Sequence, residues 1–289
     1  MNDDTKDLWS LPDPKHVLAC IEKWRSLDLR KKTDSEIDKE LSSFLDLLVT
    51  FPLSRTNRNF FKLWRIREVE YLIKEESECW EPPKNKTRMN RCNAEGHPVL
   101  YASKKLKTPF EELFIEPYKQ VYAIKYRQKK NLNLSEIVPK NLVPTDQNNN
   151  PIYDEFSLVS YQILREFVRS EFLKPVGKDT EYLYRISGSM CRVWFDEADI
   201  DGWLYPSVQS INDINVAIKS ESARENLEIE DIRIVKMVDK DKVINSGIIS
   251  DNFLPIFNLM KMVIQSDFKG EIKEGKIHWQ PSDDFGGDY

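Results

Sequence analysis

Segments with strand character recur along this chain without the regular strand and crossover-helix rhythm of a parallel sheet, and that order constrains the fold most. Phe60–Arg67, Val99–Ala102, Gln120–Arg127, Tyr182–Ser187, Arg192–Phe195, Asn215–Ile218 and Glu228–Val238 read as strands, by alternation or by β-branched and aromatic enrichment. Three- and four-residue apolar spacing marks helices over 13–30, 33–50, 108–118, 154–173 and 250–265. Helices first, then short strands with helices among them, predict an α+β fold rather than a doubly wound one.

The two leading helices carry start signals: Asp13 before Pro14, and Thr33 with Glu36 as a capping box. Val17, Ile21 and Trp24, then Ile37, Leu41, Phe44, Leu45 and Leu48, form their apolar stripes, so an N-terminal helical hairpin is expected. Residues 53–59 read as a linker, 131–151 as a surface excursion, and Phe156, Val159, Ile163 and Phe167 as the apolar face of the long helix. Beyond Phe268 the chain turns polar, and its DDFGGDY ending is expected to be disordered.

Composition excludes several function classes. No apolar run approaches the roughly 20 residues a membrane helix needs, and the start MNDDTKDLW is acidic where a secretory signal would be basic, so a cytoplasmic protein with no membrane association is expected. A net charge of −5 argues against direct nucleic-acid binding. Cys20, Cys79, Cys92 and Cys191 lie far apart with no CxxC pair, and with only three histidines no metal site is indicated. There is neither a GxGxxG turn nor a phosphate-binding GxxxxGK[ST] loop, and the scarcity of histidine leaves little room for a Ser-His-Asp triad.

Arginine, tyrosine, glutamate and serine remain. They are densest in RCNAEGHPVLYASKKLKTPFEE, Arg91 to Glu112, where a turn at Gly96 leads into a strand and then a helix. Thr108, Pro109 and Glu111 read there as N-cap, N1 and N3 of a capping box. Upstream, Arg65 shares a strand face with Phe61 and Leu63, which requires that it be paired or line a cleft unless the strand is an edge. Arginine forks bind phosphates, and a carboxylate can hold a ribose hydroxyl or stabilise positive charge at a glycosidic carbon. Such groups suit a dinucleotide cleaved at its glycosidic bond. Taken singly, each has a plain alternative: Arg91 and Glu112 as a surface ion pair, Tyr101 as a core ring, Ser207 as a turn hydroxyl.

Arg91, Asn93, Gly96, Pro98 to Ala102 and Glu112, with Leu63 to Ile66 before and Gly202 to Ser207 after, resemble the RES domain family over roughly residues 60–240. The resemblance implies an ADP-ribosyltransferase-like core of antiparallel or mixed sheets with surrounding helices. It divides the chain into an N-terminal helical extension at 1–58, the RES domain at 59–268 and a polar tail at 269–289. It also implies NAD as substrate, degraded by phosphorolysis or hydrolysis, with inorganic phosphate as co-substrate in the first case and no metal. The family's functional positions fall on Arg65, Arg91, Tyr101, Glu112 and Ser207. The arginines are expected on the pyrophosphate, Tyr101 beside nicotinamide, Glu112 at its ribose, and Ser207 at the nicotinamide end on a strand that also presents Tyr205. Family members are best known as toxins paired with an Xre-type antitoxin, and the leading apolar helices suit a homo-oligomer. A standalone phage-defence effector, a mono-ADP-ribosyltransferase acting on a protein, and a noncatalytic binding protein are the alternatives.

Overall fold

The computed structural model describes residues 11–43, 54–60, 62–137, 153–196, 198–209, 213–239 and 262–282. Its strands are β1 (Ser54–Arg58), β2 (Lys62–Arg67), β3 (Val99–Ser103), β4 (Val121–Gln128), β5 (Leu132–Glu136), β6 (Gly202–Pro206), β7 (Ile214–Lys219), β8 (Leu227–Asp239), β9 (Met262–Lys273) and β10 (Lys276–Pro281). They form a ten-stranded sheet in the order β1-β5-β6-β7-β3-β2-β4-β8-β9-β10. β5 and β6 run parallel and the other pairs antiparallel. With the six α-helices among the described residues, this is an α+β fold on a mixed sheet.

The helices are α1 (Pro14–Arg25), α2 (Asp34–Ser42), α3 (Lys107–Glu112), α4 (Glu155–Leu173), α5 (Tyr184–Val193) and α6 (Ser220–Asn226). Asp13 caps α1 by accepting from the Lys15 amide at 2.8 Å. Thr33 and Glu36 close the expected capping box on α2. α1 docks chiefly on α4 and α2 on α5, burying Val17, Ile21, Trp24, Ile37 and Leu41 in one core with Phe167, Trp194, Trp203 and Tyr205. Phe44, Leu45 and Leu48 lie outside the described residues. On the other sheet face, Leu63, Leu100, Ile124, Tyr126, Leu204, Val216 and Ile218 form a second core. β6 and β7 approach so closely that a Cβ on Gly202 would fall 2.1 Å from the Ala217 carbonyl oxygen.

Several expected elements differ. Residues 181–195, expected as two strands around a Ser187-Gly188-Ser189 turn, instead form a 3₁₀ turn and α5. The small residues are buried on the helix, where a Cβ on Gly188 would lie 3.6 Å from the Asn93 carbonyl, so they allow close packing on the Arg91 loop. α3 starts at Lys107 and ends at Glu112, short of Tyr118, and its expected capping box is absent. Thr108 Oγ1 donates to Asp213 at 2.9 Å, and Glu111 pairs with Lys107 at 3.0 Å.

On α4, Phe156 and Val159 are exposed, and the buried face runs through Ser157, Ser160, Leu164 and Phe167. The two serines receive the chain before α1, through the Leu11 amide at 2.9 Å and to the Pro12 carbonyl at 2.6 Å. Ser54–Arg58 and Leu132–Glu136, expected as linker and loop, pair as strands. Of the expected 250–265 helix, residues 250–261 lie outside the described residues and 262–265 belong to β9. Residues 269–281, placed in a polar tail, belong to the β9–β10 hairpin, whose turn at Glu274 (φ +53°) and Gly275 (φ +74°) has the paired positive φ values of a type I′ bend.

Candidate functional site

β2 and β3 meet at a single residue pair, Trp64 opposite Ser103. Beside that junction lies a cleft of about 640 Å³, lined by both strands, α3 and the 82–93 and 175–177 segments. Its floor follows from strand alternation, since side chains two residues apart share a face. Tyr101 and Ser103 on β3, Asn215 on β7 and Tyr205 on β6 thus come together, with β7 between β3 and β6.

Arg91 is nearly buried, at 7% exposure. Its Nη1 donates to the carbonyls of Phe172 at 2.8 Å and Lys174 at 3.0 Å, at the C-terminus of α4, where the helix dipole favours a cation. The guanidinium sits 5.0 Å over the Tyr184 ring. Its Nε and Nη2 make no hydrogen bond among the described residues. The loop carrying it is tied down by Tyr101, whose hydroxyl accepts from the Cys92 amide at 2.9 Å and donates to Asn93 Oδ1 at 2.8 Å. Burial pushes the Tyr101 and Tyr205 phenols well above their usual pKa, so both are neutral donors at physiological pH. Tyr205 packs between Tyr101 and Phe172.

Glu112 ends α3 and is held on one oxygen. Its Oε1 accepts from the Ser207 hydroxyl, the Val208 amide at 2.9 Å and Asn215 Nδ2 at 3.1 Å, while Oε2 makes no hydrogen bond among the described residues. Asn215 is fixed in turn by the Ser103 hydroxyl, which donates to its Oδ1 at 2.6 Å. Charge-assisted bonds of this kind are worth about 1.5–3 kcal/mol each. Arg65, from β2, lines the cleft and has an Nη1 that is buried without a hydrogen-bond partner. The same guanidinium lies against the Tyr126 phenol of the second core, which ties it to the sheet.

The structure therefore gathers Arg65, Arg91, Tyr101, Glu112 and Tyr205 around one cleft. Ser207 is 2% exposed and sits behind Glu112 as its hydrogen-bond donor, outside the cleft lining. Arg91 and Glu112 do not form the ion pair that a plain surface reading supplied. Sequence reasoning missed Ser103 and Asn215, whose one signal was a polar residue at the end of an otherwise apolar strand, and Lys86 and Arg88, which sit in a segment read only as a rim loop. In a chain of net charge −5, the cleft is lined by four cationic side chains, Arg65, Lys86, Arg88 and Arg91, against one carboxylate, Glu112. Among the described residues no helix is long and apolar enough to cross a membrane.

The family model of the RES domain matches residues 62–237. No curated protein matches the chain. Among solved structures, the MbcT–MbcA toxin–antitoxin complex of M. tuberculosis is similar at 9% sequence identity and a TM-score of 0.33, over 62% of this chain and 86% of that one. The family match covers more than half of the sequence and contains every residue of the cleft described above, so the chain belongs to the RES domain family.

Proposed function

We propose that this protein cleaves the nicotinamide–ribose bond of NAD, by hydrolysis or phosphorolysis, as the toxin of a toxin–antitoxin pair whose partner is an antitoxin protein. The observation that carries the reading is a cation-lined cleft holding one immobilised carboxylate with a free oxygen. A pyrophosphate is the dianionic group such a set of guanidinium and ammonium groups would take.

In this reading Glu112 Oε2 faces the nicotinamide ribose. As the C1′–N1 bond breaks, the bonding pair moves onto the pyridinium nitrogen and positive charge grows at the anomeric carbon. A carboxylate already fixed by three donors stabilises that charge without reorganising. Water or phosphate then adds at C1′, and water releases a proton to solvent. Tyr205 and Tyr101 give the nicotinamide end an apolar wall, with the Tyr205 hydroxyl free of hydrogen bonds among the described residues.

The test is to incubate purified protein with NAD, with and without phosphate, and to separate the products. Nicotinamide with ADP-ribose marks hydrolysis, and nicotinamide with ADP-ribose 1″-phosphate marks phosphorolysis. NAD left intact under both conditions overturns the proposal, and label retained on a macromolecule replaces it with ADP-ribosyl transfer.

A further inference from the structure

Helix α3 ends in a Schellman turn. The Phe114 amide donates to the Glu111 carbonyl at 3.2 Å and the Ile115 amide to the Phe110 carbonyl at 3.1 Å. Ile115 and Phe110 share the apolar cluster beneath the turn, the contact that usually accompanies this motif. The bend requires a left-handed residue, and glycine is the common choice because it has no Cβ to clash. Here the position holds phenylalanine at φ +50°. Its ring is 73% exposed, so little burial compensates for the strained backbone.

A bulky residue that violates a local preference without gaining contacts points to a role outside the fold. Its location supplies one, because Leu113 and Phe114 line the cleft and directly follow Glu112. The other aromatic rings of the cleft are already engaged: Tyr101 and Tyr205 pack on each other, and Tyr184 lies under Arg91. Among the described residues, Phe114 is the cleft ring with an open face.

We infer that Phe114, flanked by Leu113, is the stacking platform for the adenine base of the substrate. The inference rests on the reading of the site as one for NAD. With the nicotinamide ribose at Glu112 and the pyrophosphate among the cations, adenine is the moiety left for the outer part of the cleft. A planar base on an open aromatic ring is a favourable contact in water.

Binding of ADP-ribose and of ribose 5-phosphate is measured by titration calorimetry on the wild type, Phe114→Ala, Phe114→Trp and Phe114→Gly. ADP-ribose should bind Phe114→Ala about tenfold more weakly and Phe114→Trp as it binds the wild type. Ribose 5-phosphate should not distinguish the proteins. Phe114→Gly should raise Tm by about 2 °C as the strain is relieved, whereas a structural role for the ring predicts a fall. Unchanged ADP-ribose affinity in Phe114→Ala, or a lower Tm in Phe114→Gly, overturns the inference. A wild type that binds no ADP-ribose overturns both this inference and the NAD reading. Phe114-dependent ADP-ribose binding without NAD consumption upholds the platform and overturns cleavage alone.

Discussion

Glu112 and the groups behind it define the chemistry at the scale of single residues. Removing its charge while keeping its shape, as in Glu112→Gln, should lower kcat by at least a hundredfold with Tm little changed, read by nicotinamide release and thermal melting. Retained turnover would remove Glu112 from the catalytic role. Asn215 does not line up with any position the family resemblance named, yet it joins Ser103 to Glu112. Asn215→Ala should reduce kcat about tenfold while KM stays put, because the carboxylate loses orientation and the substrate loses no contact. An equal rise in KM would instead mean that Asn215 touches substrate. Of the residues around the cleft, Arg65, Arg91, Tyr101 and Glu112 were picked out because family spacing marked them, while Arg88 in the rim loop was not. Asn215 was not, since one amide at a strand end looks the same whether it faces solvent or a carboxylate.

At the scale of elements, the sequence declared those whose signals are local. Both N-terminal helix caps, the strand over Leu63 to Arg67, and the β-branched run of β8 depend on neighbours a few positions away, and the structure has them. α5 was hidden because Ser187-Gly188-Ser189 has turn composition, and only contact with the distant Asn90–Asn93 loop makes small residues useful on a helix. β10 was hidden because it is short and only Ile277 and Trp279, which pack on the second core, are apolar on its inner face, as suits a strand at the edge of a sheet. The packing of β6 against β7 yields a sharper expectation. Gly202→Ala places a methyl group against backbone that cannot move aside, so it should cost about 3 kcal/mol or more and leave little soluble protein. Urea denaturation of any folded fraction measures it, and a wild-type midpoint would refute the close approach.

Across the whole molecule, buried phenols and thiols govern the response to alkali. Burial raises Tyr101, Tyr126 and Tyr205 above the ordinary 10.0 and pushes Cys79 from 9.0 up to about 12. The unfolded chain releases these protons first, so the stability tied to them is fully present below pH 9 and is lost as pH climbs through the folded values. Unfolding by pH jump should therefore be cooperative above pH 10, with phenolate absorbance appearing together with loss of secondary structure. Phenolate signal from these tyrosines in a still-folded protein would contradict their burial. The two halves of the sheet, one bearing Arg65 and the other Asn215, which holds Glu112, share one registered pair, Trp64 with Ser103, and α3 packs on both. That is the narrowest strand pairing among the described residues, and the reacting groups straddle it: in mild denaturant, turnover should vanish while circular dichroism still reports an intact fold.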